Sequence, residues 1–246
     1  MTGVVVLQHL EHEPAGVLTD ALAAGGHRAD VRRLWRGDAV PGSTARLAAV
    51  VVLGGDMNTD EEDAHPFRAE ERRLPGRCVA DGVPVLGICL GAQLLAEATG
   101  GSVAHGVPQL GYLPVDVTSA GRDDAVIGGW SAGAPAFSGH RDQITAGHDA
   151  VVLATGAATP VEAFRVGDRA YGVQFHPEFD AALVETYVDG PGVRGYLRAG
   201  GCDPDALVAE ARRRDSAHRL LGEGLLQRWL HVAAVDRDPW RGTWPG

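Results

Sequence analysis

Short, continuous apolar runs recur along the first part of the chain, and polar or glycine-rich segments separate them. Runs of this kind are typical of strands that are buried on both faces of a parallel sheet. Helical segments between successive strands favour a doubly wound sheet with helices on both faces. The pattern therefore predicts an α/β fold with a mainly parallel sheet. The strands predicted in this way are Val4–Leu7, Leu47–Leu53 and Val83–Ile88, and the segment Ala29–Leu34 is a further candidate strand.

The middle of the chain predicts shorter strands and turns, which we interpret as a small antiparallel addition to the sheet. Close spacing and turn residues between the runs suggest hairpins. The strands expected here are Leu113–Val117, Ala134–Phe137, His140–Ile144, Val151–Ala154, Ala163–Val166 and Ala170–Phe175.

Helices are predicted at Val17–Ala24 and Phe67–Asp81, although Pro75 should end or kink the second. The last part of the chain changes character and becomes helical. Asp203 and Pro204 suit the start of a helix as cap and first residue. We therefore divide the chain into a domain over residues 1–188 and a helical extension over residues 189–246, packed on that domain. The helices expected in the second half are Ala181–Val188, Ala206–Arg214 and Ser216–Ala234.

Composition narrows the function. The chain has 246 residues and a net charge of −10, and all 22 of its basic residues are arginine. An acidic chain without a basic stretch is a poor nucleic-acid binder, and no apolar run is long enough to span a membrane. The amino-terminal residues lack a basic leader, so we expect a cytoplasmic protein without a membrane partner.

Metal and cofactor sites have little support in the sequence. The three cysteines, Cys78, Cys89 and Cys202, are too widely spaced for a zinc site or a disulfide framework. The segment His9–Pro14 contains two His and two Glu, but it lacks the helix or strand that fixes metal ligands. We interpret it as a solvated connection and expect no metal and no cofactor.

Cys89 is the first candidate for chemistry. It lies between the predicted strand Val83–Ile88 and a predicted helix, with Gly87 and Gly91 on either side. A nucleophile elbow has this arrangement, and glycines permit its strained turn and close backbone approach. The helix amino terminus favours a thiolate. Taken alone, this segment is equally well interpreted as carrying a buried structural cysteine.

His176 and Glu178 favour the catalytic reading. They follow directly after the predicted strand Ala170–Phe175. A cysteine nucleophile needs a base, and that base needs a group that orients it. Because strand ends meet at one edge of a parallel sheet, Gly54, Cys89 and His176 are expected to share one pocket.

Together these segments resemble the class I glutamine amidotransferases, which have a Cys, His and Glu triad, and in particular the stand-alone proteins similar to the amidase domain of GMP synthase. The resemblance implies the flavodoxin-like fold of that family. It rests on the segments 87–93, 172–178, 53–58 and 139–142.

The resemblance implies roles for individual residues. Cys89 would be the nucleophile, His176 the base and Glu178 its orienting carboxylate. The backbone N–H groups of Gly55 and Leu90 are the candidates for an oxyanion hole. The residues expected to contact the substrate are Gln93, Gly54, His140, Arg141 and Asp142.

Two positions depart from the family pattern. Asp56 stands where proline is expected, and the segment 109–112 reads Gln-Leu-Gly-Tyr where Glu-Ile-Gly-Trp is usual. Both are expected to alter the rim of the pocket.

Three functions fit the motifs. The first is a glutaminase that passes ammonia to a separate synthetase. The second is a hydrolase of another γ-glutamyl amide that uses the same triad. The third is a non-catalytic binding protein, which the complete triad makes the weakest of the three.

Overall fold

The computed structural model describes residues 3–59 and 67–234, and an eight-stranded sheet organises them. The strands are β1 Val4–Gln8, β2 Ala29–Arg33, β3 Ala49–Val52, β4 Val85–Ile88, β5 Ser102–Pro114, β6 Asp116–Val117, β7 Pro135–Thr145, β8 Ala150–Thr155, β9 Ala163–Val166 and β10 Ala170–Val173. The strand order in the sheet is β2-β1-β3-β4-β10-β9-β8-β6, and β5 and β7 form a separate two-stranded ribbon.

The five strands from β2 to β10 in that order are parallel. Strands β1, β3, β4 and β10 are buried at every residue, which explains their continuous apolar sequence. Two hydrophobic clusters cover the two faces of the sheet, one with Val51 and Leu53, the other with Val50 and Val52. Burial of one such side chain stabilises the fold by roughly 1.5–3 kcal/mol.

The antiparallel addition is present, but its composition differs from the prediction. Strands β9, β8 and β6 extend the sheet antiparallel to one another, whereas β10 belongs to the parallel half, beside β4. The short strands expected before residue 145 are instead two long ones, β5 and β7, with a register shift between His105 and Gln109, and the short strand β6. Most residues of β5 are exposed or partly exposed, so this strand lacks the apolar alternation that would have revealed its length.

The helices are α1 Val17–Ala24, α2 Arg68–Ala80, α3 Leu90–Ala98, α4 Ser119–Arg122, α5 Ala181–Val188, α6 Val193–Ala199 and α7 Pro204–Ala234. Pro75 does not end α2. It removes a single backbone hydrogen bond, and burial of Leu74, Pro75 and Cys78 offsets that loss.

The two predicted carboxy-terminal helices are one continuous helix of 31 residues, α7. The polar pair at 215–216 looked like a break, but the Asp215 carboxylate accepts a hydrogen bond from the Ala181 N–H at the start of α5. Helix α6 was not predicted. The irregular tail expected at 236–246, with Trp240 and Trp244, lies outside the described residues.

Helix α7 packs directly behind the segment that carries His176 and Glu178. A side chain at Gly222 would meet the Pro177 carbonyl oxygen at 2.0 Å, so glycine is required for this close approach. The His218 ring lies beside the same segment: its Nδ1 lies 3.0 Å from the Phe179 carbonyl oxygen, and its Nε2 lies 3.2 Å from the Phe137 nitrogen. Nothing in the local sequence around His218 indicates these contacts with the segment.

Candidate active site

Cys89 occupies a strained turn between β4 and α3. Its φ of 51° is the only positive value at a non-glycine residue in the described ranges. The turn is possible because side chains are missing on both sides: a Cβ at Gly87 would meet the Gly91 carbonyl oxygen at 2.3 Å, and one at Gly91 would meet the Val52 carbonyl oxygen at 2.1 Å. The strand, elbow and helix thus have the predicted geometry.

His176 brings a buried imidazole to this sulfur. Its Nδ1 lies 2.8 Å from Glu178 Oε1, and the ring hydrogen bonds to the Cys89 side chain. Since Glu178 occupies Nδ1, Nε2 is the nitrogen that faces the thiol. Burial lowers the pKa of His176, but the Glu178 carboxylate and the Cys89 sulfur outweigh it and raise the pKa well above its ordinary value. This environment favours the protonated form of the His176 ring.

Two backbone N–H groups beside Cys89 donate no hydrogen bond within the described part of the chain. They belong to Leu90, at the start of α3, and to Gly55, in the loop after β3. The first N–H groups of a helix have no partner within the helix. Gly54 lies between the reactive groups: a Cβ there would stand 2.8 Å from His176 Cε1 and 3.6 Å from Cys89 Cβ. Within the described residues, the N–H groups of Leu90 and Gly55 are therefore free to donate to another group.

A cavity of about 370 Å³ opens over Cys89. Every predicted substrate-contacting residue except Gly54 lines it, and the buried side chains of Tyr187 and Met57 add apolar surface. Tyr196 on α6 also lines it, so the walls come from both sides of the predicted division at residue 188, which stays a prediction. The predicted residues along the cavity are Gly55, Gln93, His140, Arg141, Asp142 and His176.

Some predicted contacts have partners within the protein. The Gln93 amide lies 3.5 Å from Gln174 Oε1, and the Gln174 amide in turn donates to Cys89 Sγ at 3.6 Å. Asp142 lies 2.6 Å from the His105 ring. Gln174 was not among the predicted residues, although it precedes His176 by only two positions.

His140 has one ring nitrogen left over. Its Nδ1 lies 3.0 Å from the Asp142 carbonyl oxygen, while its buried Nε2 has no hydrogen-bond partner in the described ranges. Burial lowers the pKa of His140 to about 4, so the ring is neutral at physiological pH and Nε2 is an acceptor.

Of the two departures from the family pattern, only one reaches the cavity. Asp56 lines it. Tyr112, at the end of the other segment, packs instead against Phe137 and His218, away from the cavity lining. The segment 109–112 therefore supports the segment that carries His176 and does not form the rim of the cavity.

The segment His9–Pro14 is not a solvated connection, which corrects the prediction. His9 is fully buried, and Glu13 is 7% exposed. Glu13 lines the cavity, and its carboxylate would stand 3.3 Å from a Cβ at Gly54. Burial raises the pKa of Glu13 to about 7, against the opposing effect of His176. The burial of His9 and Glu13 was not predicted, because a loop of alternating polar residues normally faces water.

His9 belongs to a second buried cluster, behind the Gly54–Gly55 loop. Its Nδ1 lies 2.7 Å from the Gly54 carbonyl oxygen, and its Nε2 contacts the Glu71 carboxylate in a short hydrogen bond. Arg68 donates to the other oxygen of Glu71 at 2.8 Å and to the Asn58 carbonyl oxygen at 2.7 Å. All three side chains are completely buried.

A mainly parallel sheet with a cysteine elbow and a buried His–Glu pair at its carboxyl edge defines an α/β protein with a nucleophile-elbow site. This chain belongs to the class I glutamine amidotransferases, whose family model matches residues 21–187. The predicted resemblance and fold class are therefore confirmed.

Individual relatives agree with this assignment. The chain is 29% identical to the glutamine amidotransferase-like protein YfeJ of Salmonella typhimurium over 181 residues, which are 72% of this chain and 76% of that protein. It is 36% identical over 138 residues to the glutamine-hydrolysing GMP synthase of Leifsonia xyli, 54% of this chain and 26% of that protein. The match with GMP synthase thus spans about a quarter of the relative's length.

Solved structures show the same architecture. A glutamine amidotransferase from Thermotoga maritima superposes with a TM-score of 0.83 over 93% of this chain and 98% of that one, at 26% identity. A glutamine amidotransferase from Methylobacillus flagellatus, at 22% identity, shares the fold with a TM-score of 0.81. Among the described residues, no helix is long and apolar enough to cross a membrane.

Proposed function

We propose that this protein hydrolyses the γ-carboxamide of glutamine through a thioester on Cys89, and that the ammonia passes to a separate acceptor enzyme. The observation that carries the proposal is the placement of the Cys89 thiol against a buried His176–Glu178 pair, at the base of a cavity. Membership of the family supports the same chemistry.

In the first half of the reaction, His176 takes the proton of the Cys89 thiol, the sulfur attacks the amide carbon and a C–S bond forms. The carbonyl electrons move to oxygen, where the N–H groups of Gly55 and Leu90 stabilise the negative charge. A single donor of this kind is worth roughly 3 kcal/mol. The C–N bond then breaks, and His176 gives its proton to the leaving ammonia.

In the second half, water attacks the thioester and His176 accepts its proton. Collapse of the new oxyanion breaks the C–S bond and releases glutamate, and the leaving sulfur takes the proton back from His176, which restores the thiol. Glu178 holds the ring with Nδ1 protonated throughout, so that Nε2 always faces the reacting atoms. The reaction consumes one glutamine and one water and yields glutamate and ammonia.

The other end of the substrate would lie against the segment 139–142 and Gln93. The free Nε2 acceptor of His140 suits an ammonium group, and the Arg141 side chain, which is half exposed at the rim, suits a carboxylate. We include these as binding contacts, with no part in bond breaking.

A second γ-glutamyl amide is the alternative substrate, and the cavity size favours it. A volume of about 370 Å³ falls in the range of pockets that hold drug-sized ligands, so there is space for a substituent on the amide nitrogen. Asp56 adds a carboxylate to this space, where the family pattern has proline.

The test is a turnover assay of the full chain on glutamine and on a panel of γ-glutamyl amides and peptides. Cys89→Ala should abolish hydrolysis without changing the fold, and a glutamine-like diazoketone should label Cys89. The matched control is Cys78→Ala. Burial raises the pKa of that thiol to about 12, and Cys78 is a buried residue of α2. Hydrolysis that survives Cys89→Ala would refute the proposal.

The acceptor enzyme needs its own measurement. Slow glutamine turnover that rises when a synthetase is added would support ammonia transfer. Fast cleavage of a γ-glutamyl peptide, with glutamine ignored and no partner needed, would establish the alternative. No turnover of any amide would favour a binding protein.

A further inference from the structure

The loop that carries one oxyanion donor is held from behind by a side chain. The His9 ring nitrogen Nδ1 lies 2.7 Å from the carbonyl oxygen of Gly54. That carbonyl belongs to the same peptide unit as the Gly55 N–H. All peptide bonds in the described ranges are trans, so the C=O and the N–H of this unit point in opposite directions. Fixing the carbonyl toward His9 therefore fixes the Gly55 N–H toward the cavity.

The proton count on His9 follows from its two partners. A carbonyl oxygen only accepts, so Nδ1 must carry a proton. Nε2 faces the Glu71 carboxylate, so a second proton lies in that short contact. Burial lowers the pKa of His9, but Glu71 outweighs it and raises the pKa above its ordinary value. For Glu71, His9 and Arg68 outweigh burial and lower the pKa, which places the second proton on the ring.

Arg68 connects the cluster to a second point of the loop. Its guanidinium holds the Asn58 carbonyl oxygen, four residues beyond Gly54, and shares the Glu71 carboxylate with His9. One carboxylate between two cations leaves a net positive charge buried behind the loop. A charge-assisted hydrogen bond to a carbonyl polarises its peptide group, which makes the N–H on the other side a better donor.

We propose that His9 is a positioning residue, which uses its Nδ1–H bond to the Gly54 carbonyl to aim the Gly55 N–H at the substrate oxyanion. This inference rests on the proposed function, since it concerns the same reaction. His9 itself touches neither the nucleophile nor the cavity, because the loop separates them.

A pair of variants separates the hydrogen bond from the charge. The side-chain nitrogen of asparagine falls near the position of a histidine Nδ1, and that of glutamine near Nε2. His9→Asn therefore keeps a donor for Gly54, whereas His9→Gln keeps only the contact with Glu71. Both variants remove the positive charge.

We expect His9→Gln to lower kcat about 10- to 100-fold with KM within about threefold, since loss of one oxyanion donor costs about 10²–10³-fold. Affinity for a γ-aldehyde analogue, which forms a tetrahedral oxyanion on Cys89, should fall by the same factor. His9→Asn should stay within about fivefold of the wild type. Alkylation of Cys89 by iodoacetamide uses no oxyanion hole, so its rate should change less than about threefold in either variant.

Three results would overturn the proposal: unchanged kcat in His9→Gln, equal losses in both variants, or a parallel loss of alkylation, which indicates a distorted site. If neither variant folds, nitrogen NMR of the labelled wild-type histidines decides. A His9 ring with both nitrogens protonated at about pH 8 supports the proposal, and a bare Nδ1 refutes it. Failure of the proposed function is distinct, because the wild type would then hydrolyse no amide.

Discussion

Two buried histidine–glutamate pairs lie on opposite sides of the Gly54–Gly55 loop, and they differ in the partner of the second ring nitrogen and in access to the cavity. In the pair His176–Glu178, one ring nitrogen faces the carboxylate and the other faces a thiol at the base of a cavity. In the pair His9–Glu71, the second ring nitrogen faces a backbone carbonyl, and Arg68 supplies a further charge. In the proposed reaction the first ring exchanges its proton with the substrate, whereas both nitrogens of the second ring are engaged by protein groups.

The difference shows that a buried His–Glu pair does not by itself identify a base. What distinguishes the two pairs is the partner of the remaining nitrogen and access to the cavity. In the first pair, loss of the carboxylate should reduce activity most. In the second, it should reduce stability most.

The largest effect is expected from Glu178→Gln. The amide keeps the size of the side chain but no longer fixes the protonated Nδ1, so kcat should fall by about 10²–10⁴-fold. The melting temperature should change less than in the variant of Glu71. Steady-state kinetics and thermal unfolding of the same preparation check this. A variant with near-normal turnover would show that His176 needs no orienting carboxylate.

Glu71→Gln should have the opposite profile. It leaves Arg68 and His9 buried without their shared anion, and breaking a buried ion pair costs about 3–5 kcal/mol. Denaturant unfolding measures this loss. The control is Glu70→Gln on the same helix, because Glu70 is 48% exposed and its pairs with Arg73 and Arg77 lie at the surface. That control should leave the unfolding free energy nearly unchanged, because exposed ion pairs contribute little, and equal losses in the two variants would contradict the comparison.

The sequence predicted the first pair but not the second, for a physical reason. Cys89, His176 and Glu178 follow buried strands that are recognisable from local apolar runs, and strand ends meet at one edge. Glu71 lies on a charged helix among other carboxylates and arginines, and only the packing of α2 against the loop shows which of them is buried.

The remaining errors have the same origin. Glu13 and His218 lie in polar segments, and long-range contacts bury them. The length of β5 and β7 and the continuity of α7 depend on contacts between segments far apart in sequence, such as the bond from Ala181 to Asp215. Local patterns predict the parallel half of the sheet well because four of its five strands, all except the partly exposed β2, are buried at every residue.

Both histidine–glutamate pairs influence the carboxyl group of Glu13. Its titration therefore sharpens the comparison between the pairs. His176, His9, Asp56 and Glu178 all affect it, but burial dominates and raises its pKa from 4.5 to about 7. Between these pH values the folded state holds a proton that the unfolded chain has released. Stability should therefore fall as pH rises from about 4.5 to about 7.

The variant Glu13→Gln is neutral at every pH and should remove this decline. It should match the wild type near pH 5 and be more stable at pH 8 by up to about 3 kcal/mol. Glu162→Gln is the matched control. Burial also raises the pKa of Glu162 to about 7, but Glu162 does not line the cavity. Both variants should gain stability, but only Glu13→Gln should lower the pKa of His176, as measured by NMR. An unchanged His176 titration would separate Glu13 from the pair.

The smallest effect concerns the support of the first pair from behind. Alanine normally stabilises a helix relative to glycine by about 1 kcal/mol. At Gly222, however, the new methyl group would meet the Pro177 carbonyl oxygen at 2.0 Å, and both α7 and the His176 segment must shift. We expect Gly222→Ala to lower the unfolding free energy by about 1–2 kcal/mol, as overpacking does.

Turnover should fall together with stability in Gly222→Ala, because the displaced segment carries His176 and Glu178. Gly224→Ala is the control two residues along the same helix: its methyl group would meet only the flexible end of Arg228, at 3.1 Å, so stability should be unchanged or higher. Denaturant unfolding and glutamine turnover of both variants make the comparison. If Gly222→Ala were as stable and active as Gly224→Ala, α7 would not be what holds the His176–Glu178 pair in place, and the sheet alone would have to do so.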